Sequence, residues 1–394
     1  MDTRQAKVQF WMLNAASLLG QLAISLVNLA LVYYLRYTLG ASAGVVGLAA
    51  STYTGVYLAC CLAFGGFYQR FRPYVVVCIS LLGMGLSMVL VTCSDSIPIV
   101  FTFLVLYGFF MSMLWPQVEA WITRGAEGAQ LNRLTSAFNF SWSFGTGISP
   151  YIASFLVTVS PAFALVFGAG LFAFIAAFVA LGTLSCPHIR AIRPEREYIQ
   201  DLERNDGAVD HSTPLRYDSW IAVFVVYSAL SVVLNIFPMY AGEVAGMGET
   251  TSGFLLLLRG LATCAAFMTL GRMRFWQFKA WMIYLAQGMF VVLALVFHSA
   301  STPLSTGVFF ILFGIVFALC YSFSIFHAAA GALDRGRRMV IHECVLTVGQ
   351  VVGASFGGVI YQSMGYSDAL LFLAATAALL LAVQVAVHVF RRRA

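Results

Sequence analysis

Amide and hydroxyl side chains recur at regular spacing in the first long apolar stretch of the chain. Asn14, Gln21 and Asn28 follow one another every seven residues, and Ser17 and Ser25 lie between them. Because an α-helix has about 3.6 residues per turn, this spacing places all five on one face of a helix. Such groups bind neutral polar solutes through hydrogen bonds, without the cost of desolvating a fixed charge. The alternative interpretation is that they join neighbouring helices, where a buried polar contact contributes about 0.6 kcal/mol on average.

A shorter polar stripe recurs later in the chain. Ser228, Ser231 and Asn235 have helical spacing, and Asn235 follows Asn28 by 207 residues. Asn28 and Asn235 are therefore predicted to occupy related places in two similar parts of the chain, and both are candidates for solute contact.

Arg259 is a single charge in an apolar environment. It follows Phe254 and four leucines, and 13 residues separate it from Arg272. A charge in the middle of an apolar helix costs about 2.5–3.5 kcal/mol or more, so its side chain is expected to face protein or water. It either anchors an anionic solute or partners a titrating acid, or else it forms a structural charge pair. Tyr53 stands 206 residues earlier, so the two parts of the chain differ at this position.

Two acids and two histidines also lie within apolar stretches. Glu119 and Glu343 each lie near a basic segment, which favours a salt bridge that holds a gate as much as it favours proton carriage. His327 and His342 have the side-chain type that titrates nearest to neutral pH. The run His342-Glu343-Cys344 predicts no metal site, because adjacent residues on a helix point in different directions.

Aromatic and amide side chains cluster near the middle of the first half. Trp115 precedes Pro116, and Asn139 lies three residues before Trp142. A tryptophan beside an amide is suited to stacking on a sugar or an aromatic solute, whereas core packing is the alternative.

Motifs of the common enzyme classes do not occur in the sequence. No GxxxxGK[ST] loop or HExxH pair occurs, and no nucleophile–base cluster stands out. We therefore expect neither enzymatic activity nor a bound cofactor or metal. The net charge of +6 is better explained by membrane topology and anionic lipids than by nucleic acid.

Composition identifies the environment of these residues. The chain has 394 residues, of which 61% are hydrophobic and 10% charged, whereas soluble domains carry roughly 25% charged residues. A soluble protein could not hide this excess, so the chain is predicted to be a polytopic membrane protein. Helices are favoured because the bilayer offers no water to unpaired backbone groups. Runs such as Ala162 to Cys186 lack the alternation of barrel strands.

Apolar windows of about 20 residues predict twelve spanning helices. They cover residues 10–35, 43–68, 73–94, 97–122, 132–158, 162–185, 219–241, 248–271, 276–298, 303–330, 340–362 and 367–389. A hydrophilic stretch separates the two sets of six. The predicted organisation is a first half over residues 1–186, a linker over 187–218 and a second half over 219–394.

The basic residues predict the orientation of these spans. With both termini on the cytoplasmic side, 20 of the 22 Lys and Arg residues fall in cytoplasmic segments, as the positive-inside rule requires. The exceptions are Arg36 and Arg259. We therefore expect a multi-pass protein of the plasma (inner) membrane with cytoplasmic termini.

Glycine patterns repeat between the two halves. The segments 40–47 and 246–253 share their bounding glycines at an offset of 206 residues, and 145–154 resembles 349–358 at an offset of 204. Chance coincidence among common glycines is the alternative. Two similar six-helix halves are the better interpretation, and parallel repeats of this kind are a known transporter plan.

The whole chain resembles the major facilitator superfamily of secondary transporters. The six-linker-six layout carries this resemblance, together with the loop Gly65-Gly-Phe-Tyr-Gln-Arg-Phe-Arg72. Gly65 and Arg70 fit the family's Gly-x-Leu-Ala-Asp-Arg-x-Gly-Arg loop, whereas Gln69 replaces its acid. The pair Trp115-Pro116 and the segment 139–143 also resemble segments found in members of the family.

The resemblance implies an all-α fold of two pseudo-symmetric six-helix halves that moves a small organic solute by alternating access. It implies that spans 1, 4, 7 and 10 line the pathway while spans 2, 5, 8 and 11 gate it. Leu104 stands where drug/proton antiporters carry an arginine, so coupling to protons is left open. A lipid flippase or efflux protein on the same scaffold, or a membrane sensor that does not transport, remain as alternatives.

Two sets of candidate residues follow, in a protein expected to function as a monomer within the lipid bilayer. The expected pathway residues are Asn14, Gln21, Ser25, Asn28, Tyr53, Trp115, Asn139, Asn235 and Arg259. The expected gating or coupling residues are Gln69, Arg70, Glu119, His327, His342 and Glu343.

Overall fold

The computed structural model describes residues 3–123, 128–186, 212–330 and 335–393, together with 189 and 192. Helices make up nearly all of these ranges, and no strand occurs in them. Most of the predicted linker, 187–218, lies outside the described residues. The chain divides into two compact units. Unit 1 comprises Met1–Leu39 and Thr52–Gly207, and unit 2 comprises Gly40–Ser51 and Ala208–Ala394.

Fourteen α-helices follow one another along the described chain. Those in the first half are α1 (Thr3–Tyr33, continued by a π-helical turn Tyr34–Thr38), α2 (Ala43–Tyr68), α3 (Pro73–Thr92), α4 (Ile97–Met111), α5 (Trp115–Thr123), α6 (Gly128–Val159) and α7 (Pro161–Ser185). Those in the second half are α8 (Leu215–Asn235), α9 (Phe237–Glu243), α10 (Glu249–Leu270), α11 (Ala280–Phe297), α12 (Pro303–Ala329), α13 (Arg335–Ser363) and α14 (Tyr366–Arg393).

Eleven stretches of the described chain are long and apolar enough to cross a membrane. The predicted fifth span corresponds to α6, which has 32 residues but does not reach the same hydropathy. Its segment from 139 to 150 is rich in Ser, Gly and Thr and contains Pro150, which accounts for the lower value. The other predicted spans coincide with the eleven to within several residues at their ends.

Two of the predicted spans are interrupted, which the apolar windows did not predict. The fourth divides into α4 and α5, and the seventh divides into α8 and α9. Pro116 and Pro238 lie just after these breaks. A proline has no N–H to donate and its ring clashes with the carbonyl four residues earlier, so the regular helix ends before it.

Unit 1 is built around α1, which packs on α6 and α7, while α3 packs on α7 and α4. The contact between α1 and α6 depends on small residues. A Cβ at Gly145 would collide with the carbonyl oxygen of Leu18. One turn later, the Ser149 hydroxyl donates to the Leu22 carbonyl oxygen at 2.8 Å. The two backbones are therefore in close contact at this crossing.

Unit 2 repeats this arrangement. Its helix α8 packs on α13, α10 packs on α12, and α11 packs on α14. A Cβ at Gly349 would collide with the Phe224 carbonyl oxygen, and one at Gly353 with the Ser228 carbonyl oxygen. Since Gly349 and Gly353 follow Gly145 and Ser149 by 204 residues, the repeat predicted from glycine patterns is confirmed as a repeated helix crossing.

The loops that enter α2 and α10 also correspond. Gly40 has a φ of 67° and Gly246 a φ of 64°. This left-handed backbone is strained for residues with a Cβ, which explains why both positions are glycine.

Candidate functional site

The polar stripe on α1 divides into two parts with different surroundings. Asn14 is buried, donates to the Phe10 carbonyl oxygen at 2.8 Å, and accepts from the Ser141 hydroxyl at 3.2 Å. Ser17 is buried too. Because Ser141 belongs to α6, this end of the stripe joins two helices. The interhelical alternative therefore fits Asn14 better than solute contact does.

The other end of the stripe is half-buried. Gln21 donates to the Ser25 hydroxyl at 3.3 Å, within α1. Asn28 accepts from the hydroxyl of Tyr107 on α4 at 3.4 Å. The Tyr107 ring packs edge-on against Tyr53, with 5.5 Å between ring centroids. Asn28 thus lies beside a buried tyrosine pair, whereas Gln21 and Ser25 contact each other.

Asn139 and Trp115, two candidates of the first half, each contact an aromatic side chain. The Trp142 indole N–H donates to the Asn139 side-chain oxygen at 3.1 Å. Trp115 packs edge-on against Phe138 at 6.2 Å between ring centroids. These are the contacts that core packing predicts, and stacking on a solute stays a prediction.

The candidate gating residues of the first half lie in or near turns. Gln69 and Arg70 form the turn after α2, where exposed Arg70 lies 5.9 Å from the centre of the Phe67 ring. The backbone of Glu119 belongs to α5, whereas its side chain lies outside what the structure describes.

Arg259 lies at the middle of α10 and is only 2% exposed. Its Nε and Nη2 atoms are buried and have no hydrogen-bond partner among the described residues. Two titratable side chains, Tyr227 of α8 and Cys264, are close enough to interact with it electrostatically. Gly314 of α12 packs against the Arg259 carbonyl, so the helix backbone at this point is held tightly.

A line of side chains connects Arg259 with two of the predicted titratable residues. Tyr227 is close enough to interact electrostatically with both Arg259 and Glu343. His342 is buried, its Nδ1 lies 2.7 Å from the Ser324 hydroxyl, and its Nε2 lies 4.0 Å from a Glu343 carboxylate oxygen. Unit 2 therefore brings together Arg259, His342 and Glu343, which the sequence had named separately.

His327 is not part of this line. Its Nδ1 lies 2.8 Å from the Ser219 hydroxyl, and its Nε2 accepts from the backbone N–H of Phe278 at 3.3 Å. Phe278 has a φ of 55°, so the imidazole holds a strained turn before α11. Both ring nitrogens are thus engaged in a way that indicates a structural role.

Asn235 also makes contacts within its own helix. Its side-chain nitrogen donates to the Ser231 carbonyl oxygen at 2.8 Å and lies 3.3 Å from the Ser231 hydroxyl. Asn28 and Asn235, which correspond in the repeat, therefore differ in their partners. Over the ranges that the structure describes, no three His, Cys, Asp or Glu side chains are grouped to hold a metal ion.

Comparison with known proteins identifies the family. Residues 13–333 match the model of the Major Facilitator Superfamily. The chain belongs to the Major Facilitator Superfamily. This membership makes it a multi-pass membrane transporter and not an enzyme, and confirms the resemblance drawn from the sequence. A comparison with curated protein sequences gives no significant match.

Solved structures of other transporters share the superfamily fold. A POT family transporter in complex with a thioalcohol-conjugated peptide aligns with a TM-score of 0.75 at 12% identity, over 98% of this chain and 96% of that one. A bacterial homologue of the human lysosomal transporter Spinster gives 0.72 at 10% identity, over 98% and 96%. A point mutant of the nucleoside transporter NupG gives 0.66 at 14% identity, over 96% and 99%. At these identities the likeness shows the fold alone.

Several residues of the superfamily member, which include Tyr227 beside Arg259 and the rings that pack in turn on Tyr227, were not predicted from its sequence. They are the aromatic side chains Tyr227, Phe267, Phe317 and Tyr321. Aromatic residues make up 15% of the chain, so their type does not single them out. The spacing of Phe317 and Tyr321, four residues apart on α12, was the one usable signal, because it places two rings on the same helix face.

Proposed function

We propose that this superfamily member is a secondary transporter that moves a small organic solute by alternating access. The observation that carries the proposal is the edge of Arg259, which is buried at mid-helix in a membrane-spanning segment and unpaired among the residues that the structure describes. A charge so placed is costly, and intramembrane charges are typical of substrate and ion pathways. The polar groups of Gln21, Ser25 and Asn28 on α1 are proposed as the corresponding surface of the other unit.

The proposed orientation rests on the distribution of basic residues. Both termini are assigned to the cytoplasm and the protein to the inner membrane, since 20 of its 22 Lys and Arg residues then fall on the cytoplasmic side. The halves 1–186 and 219–394, joined by the linker 187–218, are proposed as the bodies that alternately open the pathway, with one chain forming the functional unit.

Coupling to protons is proposed through His342 and Glu343. His342 Nε2 lies 4.0 Å from the Glu343 carboxylate and has no hydrogen-bond partner among the described residues, so a proton would pass between the two groups only after the side chains move closer. Tyr227 lies close enough to interact with both Glu343 and Arg259, which provides a physical link between the charge state of the pair and the solute anchor. Glu119, Gln69 and Arg70 stay proposed gate residues.

Flux into liposomes tests the function. The purified protein is reconstituted, and uptake of labelled solute mixtures is measured with and without a pH gradient, beside Arg259→Ala and the control Arg274→Ala. Arg274 is exposed in the turn after α10 and belongs to neither candidate set. We expect the unmodified protein and Arg274→Ala to transport and Arg259→Ala to lose transport while still folding. Normal transport by Arg259→Ala contradicts the site assignment.

A further inference from the structure

The unpaired atoms of Arg259 lie on one edge of the guanidinium group. Nε and Nη2 carry N–H groups that point the same way, and both are buried without a partner among the described residues. Two parallel N–H donors match the two oxygens of a carboxylate, which arginine binds in a bidentate fashion. The free edge is therefore complementary to a specific chemical group as well as to negative charge.

The part of the chain that the structure describes supplies little to neutralise this charge. No described residue forms an ion pair with Arg259, and the interacting groups are a tyrosine hydroxyl and a thiol, from Tyr227 and Cys264. A buried charge without a counter-ion is expensive. An anionic solute that occupies the free edge would remove this cost.

Aromatic side chains form a row that includes Tyr227, which interacts electrostatically with Arg259. The Tyr227 ring lies 5.0 Å from Phe317 and 6.1 Å from Tyr321, between centroids. Phe317 and Tyr321 stack at an interplanar angle of 16°. Phe267 packs edge-on against Tyr321 at 5.5 Å. These four residues, from three helices, are called the aromatic row.

The aromatic row extends along α10 from the neighbourhood of Arg259 to Phe267. Phe267 follows Arg259 by eight residues on α10, which corresponds to about 12 Å along the helix. Since Tyr227 of the row is close enough to Arg259 to interact with it electrostatically, one molecule with a carboxylate and a nearby aromatic ring can contact both. Aromatic rings prefer offset or edge-on contact with other rings, which favours an aromatic solute at the row.

We propose that the solute is a small aromatic monocarboxylate, with its carboxylate on the Nε and Nη2 edge of Arg259 and its ring against the aromatic row. This inference rests on the proposed transport function and names the substrate class of the same site. A phosphate monoester fits less well, because a dianion needs more donors than one guanidinium edge. Since Arg259 is 2% exposed, the solute reaches it only after neighbouring side chains move, as in an alternating-access cycle.

Matched ligands test the class on the purified full-length protein. Benzoate, phenylacetate and 3-phenylpropanoate are compared with their amides, with 3-cyclohexylpropanoate and with phenyl phosphate, by thermal shift and by liposome uptake. We expect at least one aromatic acid to raise the melting temperature and to be transported. Its amide should bind about 10- to 100-fold more weakly, because it loses the charge-assisted hydrogen bonds. The cyclohexyl acid should bind roughly 2- to 10-fold more weakly than its phenyl counterpart.

Two variants separate the anchor from the row. Arg259→Lys keeps the positive charge but loses the two parallel N–H donors, so the aromatic acid should bind about tenfold more weakly. The control Arg274→Lys should leave binding unchanged. Tyr321→Leu should weaken binding of the phenyl acid and not of the cyclohexyl acid. The melting temperature without ligand shows in each case that the variant has folded.

Specific outcomes overturn the inference. Equal binding of acid and amide, or an unchanged affinity in Arg259→Lys, removes the carboxylate anchor. Binding of phenyl phosphate in preference to the carboxylic acids shows that the substrate class is a phosphate monoester and not a carboxylate. Uptake of a neutral or cationic solute with no response to any aromatic acid rejects the substrate class while transport stands. Absence of uptake for every solute rejects the transport function itself.

Discussion

Replacement of Arg259 by methionine should stabilise the protein that has no solute bound. Methionine keeps a long, flexible, apolar side chain and removes the charge. If Arg259 serves a solute, its unpaired edge contributes nothing to the fold and its burial is a cost. If it serves the fold, its removal should be destabilising. The sign of the change in the free energy of unfolding therefore distinguishes the two roles.

The magnitude follows from the two unpaired groups. A buried polar group without a partner costs about 1–3 kcal/mol, and Arg259 has two such groups, Nε and Nη2. The shorter methionine side chain leaves some space unfilled, which offsets part of the gain. We expect a net stabilisation of about 2 kcal/mol, against a loss of about 3–5 kcal/mol if a buried ion pair were broken. At roughly 2–4 °C per kcal/mol, the melting temperature should rise by about 5 °C.

Thermal unfolding in detergent, followed by intrinsic fluorescence, measures the change. Gln384→Met is the matched control, because Gln384 is buried but partnered. Its side-chain oxygen accepts from Gln287 at 2.8 Å and its nitrogen donates to the Asp218 carbonyl oxygen at 3.0 Å. The control should lower the melting temperature. A similar decrease in Arg259→Met would refute the reasoning, because it would mean that Arg259 has a structural partner.

Two further substitutions test the crossings and the pathway. Gly353→Ala should lower the free energy of unfolding by about 1–3 kcal/mol, because its Cβ would lie 2.7 Å from the carbonyl carbon and 2.8 Å from the Cα of Ser228. Gly170→Ala is the control, because no atom lies within 4 Å of the added Cβ. It should not lower the free energy of unfolding in the same thermal measurement. Tyr107→Phe removes the donor to Asn28 and should change stability by less than about 1 kcal/mol, because water can replace it at a half-buried amide. A raised KM in uptake assays would place Asn28 in the pathway, and an unchanged KM would exclude it.

The repeated fold could be predicted from the sequence because its determinants are local. Gly40 and Gly246 are required by a left-handed backbone, and Gly145 and Gly349 by a close helix contact, so the residue type at each position reports the geometry. The breaks before Pro116 and Pro238 were missed for the opposite reason. An apolar window measures transfer into lipid and is insensitive to the loss of one backbone hydrogen bond.

The candidate site was less predictable from the sequence, because the residues that contact its side chains come from different helices. The depth of Arg259 was apparent from its apolar neighbours, whereas its unpaired edge depends on side chains of α8 and α12. Asn14 and Asn28 have the same residue type on one helix face, yet one contacts Ser141 and the other Tyr107. His327 and His342 were equivalent candidates in the sequence. The turn at Phe278, which engages one nitrogen of His327, is a feature of the folded chain alone.

The two units have the same backbone contact at the position of Arg259 but different side chains there. Gly108 packs against the Tyr53 carbonyl in unit 1, and Gly314 packs against the Arg259 carbonyl in unit 2. Both pairs are related by 206 residues. In unit 1 the position is filled by the buried ring of Tyr53, which packs on Tyr107. In unit 2 it is filled by a cation whose donors lack partners among the described residues. Because the backbone contact is equivalent, the difference lies in the side chains, and we propose that unit 2 recognises the charged solute.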